Sequence, residues 1–277
     1  MRIRDIIVEF ASASATATPA VSSGTPVAKH SKGKSYTGSP GKSGTKAPKQ
    51  QKPKKQTPKE LLDELVHFFN STPKLNQEFS KVTVVHSNEL AAIVPKPLFD
   101  ETKLIEYLKF NSKILKTDFI TYDQLNGIDI TVVYVPLINI NNFIFDRFGS
   151  FEYKHSASIL INRVLTLEKN TKKPKIFVNI EHKYFQIVVV ENNLLKFYNH
   201  FEYITKDDFI YYLLFTAEQL KLNPEEFPLV LMGSVVEGDD FYQIAYKYIR
   251  HVNLLQSKSM LYSKDLSSKH FTLLNSL

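Results

Sequence analysis

A chain of 277 residues, 43% of them hydrophobic, is long enough to bury a core without covalent staples, and its lack of cysteine excludes disulfides, thiolate zinc sites and cysteine nucleophiles. The formal charge of +7 hides a division: residues 1–59 hold 12 Lys and Arg against Asp5 and Glu9, whereas the other 218 residues hold 23 against 26, a net of −3. No run approaches the roughly 18 apolar residues that cross a bilayer, and residues 1–10 hold too short an apolar stretch for a secretory signal, so the expected location is the cytoplasm.

Residues 1–57 read as a disordered basic tail. From residue 11 onward Ala, Ser, Thr, Gly, Pro and Lys dominate, with Tyr36 the single aromatic, and such a composition buries too little apolar area to offset the entropy of ordering. Residues 3–10 alone could form a strand, and a lone strand needs a sheet to join. Ten lysines from Lys29 to Lys59 meet no acidic residue. The tail is therefore expected either to hold nucleic acid or an anionic surface weakly and without sequence preference, or to serve as a solubilising linker. Gly38-Ser39-Pro40-Gly41-Lys42-Ser43 looks like a phosphate loop, but Tyr36 stands where its first glycine is needed and no strand or helix flanks it.

Order begins at Thr57. Thr57, Pro58 and Glu60 make a capping box with proline in the first turn, and Leu61, Leu62, Leu65, Phe68 and Phe69 recur at helical spacing to residue 70. The period then shortens. Val82, Val84 and Val85, followed across Ser87 and Asn88 by Leu90, Ile93 and Val94, read as a hairpin closed by Pro95 and Pro97. Residues 104–115 read as a helix and 128–135 as a β-branched strand stopped by Pro136. Ile140, Phe143, Ile144 and Phe148 predict a short helix ending at Gly149, then a strand at 151–153 and a helix at 156–167.

The second half reads as a meander of strands at 175–180, 185–190 and 194–201, joined by tight polar turns that include Asn192 and Asn193. A helix opening at Thr205, a buried strand at 229–232 and a helix at 239–249 follow, with a last strand expected after them. Three strands, helix, strand, helix, strand is the plan of one ribonuclease H-like subdomain.

The words carry a closer likeness. VHSNELAAIVPKPLFDE, LKFNSKIL, ITYDQL, YVPLININNFIFDRFGSFEYKHSASILI and FIYYLLFTAEQLKLNPEEF resemble an uncharacterised bacterial family with an actin-like fold of duplicated ribonuclease H-like subdomains, over about residues 59–253. The resemblance implies an α/β chain divided into the tail at 1–57, a first subdomain at 58–170, a second at 171–256 and a C-terminal tail at 257–277. Members of that family open with three strands, whose place the basic tail occupies here. The first subdomain is then expected to lack most of its sheet and to expose an unpaired strand edge, which recruits a partner or a second copy.

Actin-like ATPases cradle phosphates and metal with two hairpins, each opening on an acidic residue followed by small ones, because amides approach an anion only where side chains are absent. The first hairpin is missing. The second matches residues 178–183, with Asn179 in place of the aspartate and no glycine beside it. For the adenosine turn of that fold only Gly233 and Ser234 stand in a matching place, so they are the sole candidate cofactor residues, with ATP as the ligand they would take. The competing reading is a turn that lets the chain leave the sheet.

Gly233-Ser234-Val235-Val236-Glu237-Gly238 is not a nucleophile elbow, since its second glycine is displaced by two positions. His67, His86, His155, His182, His200 and His251 form no H-x-H or H-x-x-x-H pair, so no metal site is expected. The aromatics fall at helical spacings in a net acidic fold, which favours core packing over a nucleic-acid platform. The expected function is a non-catalytic actin-like module that binds a protein partner. The alternatives are a degenerate nucleotide-binding ATPase and a nucleic-acid-associated protein acting through its tail.

Overall fold

The computed structural model describes residues 57–109, 114–115, 118–169, 172–255 and 271–276, so the tail expected at 1–57 lies, but for Thr57, outside the described residues. Helix α1 (Pro58–Ser71) starts at the expected capping box: Glu60 N donates to Thr57 Oγ1 at 3.2 Å, and Thr57 N donates to Glu60 Oε2 at 2.7 Å. Leu61, Leu65 and Phe69, one helical turn apart, bury its inner face.

The expected hairpin at 82–94 does not form. Strand β1 (Thr83–His86) pairs in parallel with β5 (Glu152–His155), while β2 (Ala91–Pro95) joins a separate antiparallel sheet of order β2-β4-β3, with β3 at Thr121–Gln124 and β4 at Ile130–Tyr134. Asn88 decides this. Its Nδ2 donates to Val135 O at 2.9 Å and its Oδ1 accepts from Leu90 N at 2.9 Å, which ties the presumed turn to the end of β4 and sends the chain into the second sheet. The helix expected at 104–115 is α2 (Leu104–Lys109), and Leu115 instead closes a turn with Asp118, whose carboxylate accepts from Leu115 N at 2.8 Å. Helix α3 (Ile138–Phe148) stops at Gly149, whose φ is +74°. Helix α4 (Ser156–Leu167) follows β5 directly, with the ring of His155 as its N-cap.

The meander is β6 (Lys175–Ile180), β7 (Tyr184–Glu191) and β8 (Leu194–Glu202); then come α5 (Lys206–Gln219), β9 (Pro228–Gly233), α6 (Asp240–Tyr248) and β10 (His251–Leu254). They build a sheet of order β10-β9-β6-β7-β8, in which β9 runs parallel to both β6 and β10. Helices α5 and α6 cover one face around Phe185, Phe209 and Leu213, and α4 covers the other around Phe177, Val188 and Leu160. The run α1, β1, α3, β5 repeats the run α5, β9, α6, β10, with β2 to β4 inserted after the repeat's first strand. Among the described residues the first copy has no counterpart of the meander.

The C-terminal residues depart from the expected tail at 257–277. Residues 256–270 lie outside the described residues, but α7 (Phe271–Leu274) returns to the fold, and Phe271 is buried among Phe177, Val230 and α4. An aromatic ring that finds an apolar slot is removed from water wherever it lies in the chain. Among the described residues no helix is long and apolar enough to cross a membrane.

Candidate functional site

The place where an actin-like fold would cradle phosphates is the β6–β7 hairpin and the end of β9. Here the backbone groups are committed to one another. Glu181 N donates to Tyr184 O at 2.8 Å and Ser234 N donates to Ile180 O at 2.6 Å. The Tyr203 hydroxyl donates to Glu181 O at 2.5 Å, and burial, then Glu181 and Asp239, push that phenol up to about 12. An anion would have to compete with protein acceptors for both amides.

Gly233 sits on Ile180 and Asn179. A Cβ built at Gly233 would be driven into the Ile180 carbonyl, and its φ of +88° is left-handed. Ser234 is exposed. The two candidate cofactor residues therefore lie together at the end of β9, with Gly233 pressed on the sheet and Ser234 turned to solvent. Among the described residues no three His, Asp or Glu side chains group as metal ligands.

Beneath this turn lies a polar seam that sequence reading missed. Asn179 Nδ2 lies 3.2 Å from Gln186 Oε1; Gln186 Nε2 donates to Ser156 Oγ at 3.1 Å; Ser156 Oγ donates to Ser87 Oγ at 3.1 Å; and Ser87 Oγ meets the Tyr184 hydroxyl at 2.7 Å. Gln186 Nε2 also reaches Tyr198 OH at 2.9 Å. Asn179, Gln186, Ser156, Ser87 and Tyr184 are all buried. The chain runs from β6 and β7, through the first residue of α4, to the residue after β1 and back to the first residue of β7. Its sequence signal is a lone polar residue inside an apolar strand, Asn179 in FVNI and Gln186 in FQIVVV, which must find a partner when buried.

Two buried histidines flank the seam. His86 Nδ1 accepts from Leu137 N at 3.4 Å, so Nε2 carries the hydrogen and donates to Asn141 Oδ1 at 2.9 Å. His155 follows the same rule: Nδ1 accepts from Ala157 N at 3.1 Å and Nε2 donates to Asn88 O at 3.2 Å. Burial lowers His86 to about 4 and His155 to about 3. Asp123 accepts from Ser158 Oγ at 2.6 Å, His155 N at 2.8 Å and Tyr134 OH at 3.0 Å, and burial raises it despite these donors. Ser, His and Asp are neighbours here, yet both ring nitrogens of His155 are engaged elsewhere, so no nucleophile is activated.

The sequence matches a family model described as protein of unknown function (DUF3822) over residues 41–252. The chain belongs to this family. The DUF3822 match begins inside the segment read from composition as a tail. No curated protein matches the chain. Among solved structures, this DUF3822 chain is similar to a Bacteroides thetaiotaomicron protein described as having an actin-like ATPase fold and unknown function, with 18% identity and a TM-score of 0.68 over 78% of this chain and 80% of that one. That likeness establishes the actin-like fold. Two fainter likenesses are to a PilM–PilN type IV pilus biogenesis complex, at 9% identity and TM-score 0.46 over 80% and 84% of the two chains, and to an AlfA filament bound to AMPPNP, at 9% identity and 0.34 over 77% and 66%.

Proposed function

We propose that this DUF3822 chain is a non-catalytic actin-like module that binds a protein partner along the free edge of β1. One comparison carries the reading. Strand β9 has β10 on one side and β6 on the other, whereas β1, its counterpart in the first repeat, pairs with β5 and with no second strand among the described residues. An unpaired edge is a template for another strand. Of the two edges of the larger sheet, β8 is guarded by contrast: it carries a register shift opposite Val189 and Val190, and the Asn199 side chain caps the neighbouring amide of His200 at 2.9 Å. By analogy with β6, which is buried on both faces, the incoming segment is extended, parallel to β1 and rich in β-branched residues.

Amide exchange tests this reading. Residues 83–86 should exchange far faster than residues 229–232 in dilute protein, and a second copy filling the edge would slow them as concentration rises. Equal protection of the two strands at every concentration would discard the free edge. Cytoplasmic residence is the compartment this reading implies.

The nucleotide reading rests on Gly233 and Ser234 and is met by calorimetry: titration with Mg-ATP should give no binding heat. A role in holding nucleic acid rests on ten lysines outside the described residues or at their margin. Deletion of residues 1–56 should then remove a salt-sensitive gel shift, and an unchanged shift would dismiss the tail.

A further inference from the structure

We infer that the two repeats of this protein move as one rigid body, and that the buried Ser87–Tyr184 hydroxyl pair is the latch that keeps them in register. The inference goes beyond partner binding, since it concerns whether the two repeats part at all. Two observations carry it. The first is the donor chain, in which Asn179, Gln186, Ser156, Ser87 and Tyr184 form a directed series that leaves the larger sheet at Gln186, passes through the first residue of α4 and the residue after β1, and returns to the larger sheet at Tyr184. Pulling the repeats apart would strand buried hydroxyl and amide groups or admit water to each.

The second observation is apolar. Helix α4 lies between the sheets, so Leu160, Ile161 and Val164 share one core with Val132 and Tyr134 of β4 on one side and Phe177 of β6 on the other. A large apolar interface resists relative motion. Phe271 of α7 adds a ring to the same core, and Thr272 Oγ1 lies 3.4 Å from Asn179 Nδ2 at the seam.

Tyr184 suits this role geometrically. Its ring stacks on His200 with centroids 4.4 Å apart, which orients the hydroxyl from within the second sheet, while Ser87 is placed by the anchoring of its neighbour Asn88 on Val135. Loss of the Tyr184 hydroxyl removes the bond to Ser87 and keeps the ring that stacks on His200.

Native-state hydrogen exchange on the whole chain tests the inference. The slowest amides of β4 and β6 should agree within about threefold in the wild type, because both open only in global unfolding. In Tyr184→Phe the β4 amides should speed up at least about tenfold over those of β6, as the first repeat gains its own opening route. Ser87→Ala should do the same, and the double variant should add little to either single change. A wild type in which β4 exchanges much faster than β6 would overturn the rigid body. Variants in which the two strands remain matched would overturn the latch.

Discussion

Gly233 is packed so tightly on Ile180 that its α-carbon has no room for a side chain, and the next residue, Ser234, donates its amide to the Ile180 carbonyl at 2.6 Å. A structural demand for glycine here exists without any ligand. Gly233→Ala should therefore lower stability by about 2–4 kcal/mol in denaturant titrations without ligand. A change within a few tenths of a kcal/mol would mean that the backbone contact matters little.

Acid should destabilise the fold through its two buried histidines. Both are neutral when folded, with values of about 4 for His86 and about 3 for His155, and both protonate near 6.5 when unfolded. Their contribution is complete above the unfolded value and is lost as pH falls towards the folded values. Asp123 acts the other way, because burial raises it and the fold holds its proton where the unfolded chain releases it. Between pH 7 and pH 5 the histidines together should remove about 4 kcal/mol. His155→Gln should flatten the slope by roughly half, and a slope equal to that of the unaltered protein would show that His155 is not the titrating group.

The C-terminal helix should matter for stability. Phe271 is 5% exposed in a core shared with α4 and the larger sheet. Phe271→Ala should lose about 3 kcal/mol, read as a lower thermal midpoint, if the ring fills that core. An unchanged midpoint would mean that residues 271–276 rest on the surface.

The β7–β8 turn offers a gain and a loss at adjacent positions. Asn192 and Asn193 have φ values of 52° and 62°, the left-handed pair that a two-residue hairpin turn requires. Asn193→Gly should leave stability unchanged or raise it by several tenths of a kcal/mol, whereas Asn192→Val should lower it by about 1–2 kcal/mol. Urea midpoints would decide, and equal effects would show that the turn rearranges freely.

Much of the fold was legible because local chemistry agreed with tertiary demand. The capping boxes at Thr57 and Thr205 begin α1 and α5, Gly149 ends α3, and β6 stands where the apolar run at 175–180 placed it. The hairpin expected at 82–94 failed because Ser87 and Asn88 resemble turn residues, while their side chains bind groups distant in sequence, Tyr184 and Val135. Strand β3 is short and polar, so nothing in TYDQ separates it from loop until β4 pairs with it. Of the site, Gly233 was visible as a glycine after an apolar run, yet its contact with Ile180 was not.

The amino-acid sequence by itself determined where helices start and stop, which runs are apolar enough to be strands, the exclusion of thiol chemistry and the uneven placement of charge. Each of these follows from side chains within a few residues of one another. Only the tertiary structure decided that β1 pairs with β5, that Phe271 returns to the core, and that Asn179, Gln186, Ser156, Ser87 and Tyr184 join in one buried series. Hydrogen bonds and burial between residues up to 97 positions apart, as for Ser87 and Tyr184, carry no local signature, because the partner that satisfies a polar group is set by how the sheets stack.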